Sequence, residues 1–230
     1  MRTLAAILLF LSLGQLVATA QQQVHVILCG GPALRSWEDL RVAPDQHDRW
    51  WANFVRASTM RMDELRTAYG PEAEIVWMVY KPGYVTRGRE AGKPYTTWIT
   101  EQASKRFAKL VWLNSGSDFF RRMNSLPRGS VINFDFFGHS NKHCFLLDYS
   151  NEIMASSKAW VHETELSKLK ASVFNRNALC QSYGCHTGES MSAYWKRATG
   201  GVTLIGAKGK TDYTSLTHGR LPKVNGSWVR

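Results

Sequence analysis

Apolar residues along the 230-residue chain fall into short blocks separated by longer amphipathic stretches. Val24–Cys29 is a β-branched run closed by Gly30-Gly31-Pro32, the signature of a buried strand. Similar runs at 75–80, 131–137, 177–183 and 202–207 predict four more strands, and 144–149 predicts a hairpin or an extension beyond the third. Between them, Trp50, Trp51, Phe54, Val55, Met62 and Leu65 recur at helical spacing, so 45–69 reads as a long amphipathic helix stopped by Gly70-Pro71. Further helices are expected at 97–113, at 118–126 behind a Ser117 cap, at 163–174 and at 189–198. The Gly-rich, basic stretch 84–94 lacks periodicity and reads as an exposed loop, and 211–230 as an irregular tail. Strands alternating with helices imply βαβ crossovers, and hence a three-layer α/β sandwich with a mostly parallel sheet.

The first twenty residues need a separate reading. Arg2, the apolar run 4–13 and Ala18-Thr19-Ala20 are the three parts of a secretory signal peptide, too short for the roughly 20 apolar residues that span a bilayer. The expected product is a single exported domain, residues 21–230, secreted or periplasmic, with no integral membrane segment. Without Arg2 it carries 28 basic against 18 acidic residues, a formal +10, which favours acidic partners without choosing among them. The basic residues are scattered and no zinc-finger or RNP-type motif occurs, so nucleic acid is not the expected partner. Four cysteines in an oxidising compartment allow two bridges, yet are too few to build the fold, so a free thiol is chemically available.

Ligands of open parallel sheets collect at the carboxyl ends of strands. Two such ends carry chemistry here: Gly138-His139-Ser140-Asn141 after 131–137, and Gly184-Cys185-His186-Thr187-Gly188 after 177–183. If the strands are neighbours, His139 can serve as base or ion-pair partner to the Cys185 thiol, and backbone N–H groups at Cys185 and Ser140 can face a developing oxyanion. The segment after the fifth strand, with Lys208 and Asp212, is placed at the rim of the same cleft as a substrate contact. It is no phosphate loop, since Leu204 and Ile205 stand where that motif requires glycine.

An apolar strand ending in a Gly-flanked His, then a helix, then a strand ending in Cys and a Gly-containing turn resembles the caspase-like (clan CD) cysteine peptidases. The likeness covers about 131–207 and implies a caspase-like fold, a His139/Cys185 dyad, Gly188 as a turn glycine, no cofactor, and a peptide or protein substrate. In the family the His follows the third core strand and the Cys the fourth. One position departs from it: the family's glycine after the His is Ser140 here.

Other readings of the same residues remain open. Cys185 can be an inert thiol or half of a disulfide with Cys180, in which case the fold is an exported binding protein holding an acidic ligand. Gly138-His139-Ser140-Asn141-Lys142 resembles a nucleophile elbow with Ser140 as nucleophile, Asp148 or Asp212 as acid and His186 or His218 as base, although Lys142 replaces the final glycine. His139, His143, Cys144, Cys185 and His186 suggest a zinc site, but His139 and His143 have helical i, i+4 spacing in a strand-end context, so no metal is expected. The acids and tryptophans of 37–51 fit a helix N-terminus with core tryptophans better than a substrate grip. Asn225-Gly226-Ser227 is a glycosylation acceptor.

Overall fold

Uninterrupted apolar strands must be covered on both faces, and the structure does this by dividing them between two cores. The computed structural model describes residues 22–43, 46, 49–150, 153 and 156–230; the expected signal peptide, 1–20, lies outside the described residues, as do Asp45, His47 and Asp48. In chain order the elements are β1 (Val24–Cys29), α1 (Arg35–Glu38), α2 (Asn53–Tyr69), β2 (Glu74–Tyr80), α3 (Lys81–Ala91), α4 (Tyr95–Lys105), β3 (Lys109–Leu113) and α5 (Gly116–Asn124). Then follow β4 (Val131–Phe137), β5 (His139–Ser140), β6 (Cys144–Leu146), β7 (Trp160–His162), β8 (Phe174–Ser182), α6 (Met191–Ala198), β9 (Leu204–Lys208), β10 (Thr211–Asp212), β11 (Lys223–Val224) and β12 (Ser227–Val229).

The main sheet has seven strands in the order β12-β9-β8-β4-β1-β2-β3, all parallel except β12, which runs antiparallel to β9. Period-2 alternation sorts the side chains. Val24, Val26 and Leu28 of β1, Val76 and Met78 of β2 and Phe134 and Phe136 of β4 join Phe119 of α5 and Trp195 of α6 on one face. Ile27, Trp77, Val79 and Phe137 join Phe54, Met62 and Leu65 of α2 and Ile99 of α4 on the other. Fully burying each such side chain contributes about 1.5–3 kcal/mol. The α/β three-layer sandwich expected from the strand–helix alternation is the observed architecture. Among the described residues no helix is long and apolar enough to cross a membrane.

Several local expectations are corrected. Residues 84–94 are not a loop: α3 starts directly after β2 with Pro82 in its first turn and ends at Gly92, whose φ of 63° supplies the left-handed cap. Two glycines inside this helix serve packing: a Cβ on Gly88 would lie 2.7 Å from the Lys93 carbonyl, and one on Gly83 3.0 Å from Gly31 Cα. The basic character of α3 is partly internal, because Arg87 is buried and donates to the Ala33 (2.7 Å) and Arg49 (3.5 Å) carbonyls, pinning the segment between β1 and α2. The stretch 97–113 is helix then strand, broken at Phe107 with a φ of 49°. Ser115, not Ser117, caps α5, accepting from the Asp118 N–H. The helix expected at 163–174 is two 3₁₀ segments, Glu163–Lys168 and Ala171–Val173. The 144–149 stretch contributes β6 to a small antiparallel β5-β6-β7 sheet, and the tail supplies β10, β11 and the edge strand β12.

Candidate active site

The chain order of the sheet reverses at β1: β2 and β3 lie on one side, β4, β8 and β9 on the other. Such a switch point opens a crevice at the carboxyl ends of the strands. Here it is a cleft of about 670 Å³ lined by Gly138, His139 and Cys185 at its base, by Ala43, Gln46, Arg49, Trp50, Asn53 and Phe54 from the entry to α2, and by 210–214, Thr217 and Asn225 from beyond β9.

The β4–β8 register places the two sequence-predicted residues. Its last pair is Phe136 with Ser182, and Tyr183 N–H donates to the Phe136 carbonyl at 2.8 Å. His139 and Cys185 each stand three residues past that pair, on neighbouring strand ends that open into one cleft. With β3 counted, the His follows the fourth main-sheet strand in chain order rather than the third.

The His139 ring lies against Tyr149 (centroids 4.4 Å apart, planes 27° apart) and meets Phe54 edge-on at 5.1 Å. The Arg41 guanidinium sits over the Tyr149 ring at 5.8 Å and pairs with buried Glu38 at 3.3 Å. Tyr149 thus stacks on the imidazole and Phe54 packs edge-on against it.

Cys185 differs from the other cysteines. All four are free thiols, but Cys29, Cys144 and Cys180 are buried, whereas Cys185 is partly exposed in the cleft. Burial pushes the Cys29 thiol up to about 12 and Cys144 up to about 11, the latter also raised by Glu163 and Glu165, and burial raises Cys180 further. Those three are held as neutral, inert thiols. The Cys185 Sγ accepts from the Thr211 N–H at 3.3 Å and lies 3.3 Å from the Thr211 hydroxyl. These two contacts tie the sulfur to the segment that follows β9.

The turn carrying Cys185 is held at several points. Ser140 Oγ donates to the Cys185 carbonyl at 2.7 Å, Thr187 Oγ1 to the Gly184 carbonyl at 3.2 Å, and His186 N–H to the Gly209 carbonyl at 2.8 Å. His186, with a φ of 64°, makes the left-handed step. Gly188 lies in the 3₁₀ turn Thr187–Glu189 after Cys185, as expected, and close packing requires a glycine there, since a Cβ would lie 2.3 Å from Val229 Cγ2 and 2.7 Å from the Gly206 carbonyl.

The remaining expectations divide. Asp212 lines the cleft, but its two carboxylate oxygens accept from the Thr214 N–H (2.8 Å) and hydroxyl (2.7 Å). Lys208 does not line it; the turn at Gly209 brings Lys210 there instead. Ser140 braces the Cys185 turn through its hydroxyl and is not a lining residue, whereas Gly138 and Cys185 are. Among the described residues the Cys185 N–H takes part in no backbone hydrogen bond. The Ser140 triad does not assemble: its hydroxyl is engaged with Cys185, Asp148 is buried against Tyr80 and Ser150, and His186 pairs with Glu189 at 2.7 Å. The zinc reading fails similarly, because His143 pairs with Glu163 at 2.8 Å, and no group of three metal-ligating side chains gathers among the described residues. No Cys180–Cys185 bridge forms; Cys180 lies in the core with Phe134 and Trp195.

The segment expected at the cleft rim does line it, and one lining residue, Trp50, was not anticipated. Thr211 and Tyr213 come from beyond β9, and Trp50, expected in the core, is half exposed at the cleft while its neighbour Trp51 stacks on Tyr95 at 3.9 Å. Comparison with protein-family models, curated proteins and solved structures finds no match.

Proposed function

We propose that the protein is an exported cysteine hydrolase acting on peptide bonds, a divergent relative of the caspase-like peptidases, with Cys185 as nucleophile and His139 as its proton-transfer partner. One observation carries this reading: the only partly exposed cysteine and a cleft-facing histidine occupy equivalent positions on two adjacent parallel strand ends. Cys185 Sγ attacks the carbonyl carbon, the C–N bond breaks, and His139 delivers the proton to the departing amine. Water, deprotonated by His139, then cleaves the thioester and regenerates the thiol. The Cys185 N–H, which makes no backbone hydrogen bond among the described residues, serves as the oxyanion donor; a preorganised donor of this kind is worth about 10²–10³ in rate. Ser140, which the family pattern makes an N–H donor, acts here through its hydroxyl by fixing the Cys185 carbonyl.

Incubating residues 21–230 with a complex peptide mixture and mapping the products by mass spectrometry tests the proposal. Cleavages by the wild type that vanish in both Cys185→Ala and His139→Ala are expected. Cleavages that persist in Cys185→Ala would overturn it.

A further inference from the structure

Beside the reacting pair the cleft wall is aromatic. Phe54 packs edge-on against both His139 and Tyr213, each at 5.1 Å, so an apolar surface runs directly from the imidazole. Tyr213 donates its hydroxyl to the Tyr183 carbonyl at 3.0 Å, which turns its ring rather than its polar end to this wall. Trp50 completes the mouth with 50% of its surface exposed, its ring braced by the Arg56 guanidinium at 5.2 Å. A large indole left half uncovered in a concave site marks a place where an apolar group is to be buried.

The charged groups do not form a pocket of one sign. Asp212 lines the cleft and is anchored there by the Thr214 N–H and hydroxyl, one on each oxygen. Arg49 and Lys210 line it as well, so both signs of charge are represented and no single-sign pocket selects a charged side chain.

We propose that this cleft selects peptides carrying a large apolar or aromatic side chain next to the bond cleaved, and that Trp50 and Tyr213 set the preference. The inference rests on Cys185 being the nucleophile. It changes the expectation from overall charge, which pointed to acidic substrates.

The test uses three short peptidyl acyloxymethyl ketones that differ only in the residue beside the ketone: Phe, Asp or Lys. Their rates of attachment to Cys185 are compared with the iodoacetamide rate at the same sulfur. The Phe reagent should react at least roughly tenfold faster than the other two, the range expected when an apolar side chain finds its pocket. Trp50→Ala should lower the ratio of Phe-reagent to iodoacetamide rates by a similar factor, and Trp50→Phe should restore most of it. A faster Asp or Lys reagent, equal rates, or no ketone attachment where iodoacetamide does react would overturn the specificity while leaving the nucleophile in place. Failure of iodoacetamide to modify Cys185 would remove the nucleophile itself, and the specificity with it.

Discussion

Replacing Gly184 by alanine perturbs the junction between the strand end that carries Cys185 and the one that carries His139 and Ser140. A Cβ at 184 would lie 2.3 Å from Ser140 Oγ, 2.8 Å from Ser140 Cβ and 2.9 Å from Phe136 Cε1. Phe136 is fully buried and cannot swing away, so Ser140 must move and give up its 2.7 Å hydrogen bond to the Cys185 carbonyl. Overpacking of this kind costs about 1–3 kcal/mol and the lost hydrogen bond about 1 kcal/mol, offset by up to ~1 kcal/mol because alanine restricts the unfolded chain. Gly184→Ala should therefore destabilise by about 1–3 kcal/mol. Ser140→Gly removes the hydroxyl and the Cβ together, and with them the two shortest approaches to the new methyl. The double variant should consequently be more stable than the sum of the singles by about 1–2 kcal/mol, a coupling typical of residues in contact. Urea unfolding of the four proteins at one pH measures this, with unchanged m-values as the control. Additivity within ~0.5 kcal/mol would refute the reasoning, because it would mean that Ser140 does not pack against the strand end that carries Cys185.

Three further outcomes are expected. Arg61 donates to fully buried Asp135 at 2.9 Å, and burial pushes the Asp135 carboxyl up to about 6 even beside that cation. Arg61→Met should therefore cost about 3–5 kcal/mol by urea unfolding at pH 8, where it strands a charge, and clearly less at pH 5, where Asp135 takes up a proton. Equal losses at both pH values would contradict the assignment. Buried His25 donates from Nδ1 to Asn133 Oδ1 at 2.9 Å, and burial holds its imidazole below the ordinary histidine value. The unfolded chain then binds the proton first, so stability falls as pH drops from about 7 through 6.5 and below. His25→Gln should flatten the profile there relative to wild type, and an unchanged slope would show that His25 is not its source. Thr211→Val removes the hydroxyl 3.3 Å from Cys185 Sγ but keeps the backbone donor. Alkylation of Cys185 at pH 6 should slow about 3- to 10-fold, as for one hydrogen bond of 0.5–1.5 kcal/mol, with Thr211→Ser near wild type. Equal rates in Thr211→Val and wild type would sink that role.

The sheet was legible where strands are buried on both faces, because β1, β2 and β4 are near-continuous apolar runs closed by Gly or Pro. β3 was not, since it is a short edge strand that follows α4 with no glycine or proline between them; the break falls at Phe107, a residue that does not advertise a left-handed turn. α3 was hidden because Gly83 and Gly88 look like loop residues in sequence and act as packing residues in three dimensions. At the site, His139 and Cys185 stood out because each directly follows a recognisable strand. The segment carrying Thr211 and Tyr213 was placed at the rim because it follows a strand, but Trp50 was not, since it looked like a core residue of the helix N-terminus and comes to the cleft from a segment that the Arg87 anchor holds. The offset from Lys208 to Lys210 is the turn at Gly209, whose φ of 105° redirects the chain after β9.

The most direct test of the account is iodoacetamide alkylation of the non-reduced protein at pH 6, with peptide mapping of the modified cysteine, in wild type and His139→Ala. Rapid modification confined to Cys185, slowed at least tenfold in the variant, is the predicted result, since an ordinary thiol, with a pKa near ~8.5, is barely reactive at that pH. An unreactive Cys185, or one whose rate does not depend on His139, would contradict the claim that these two residues act together.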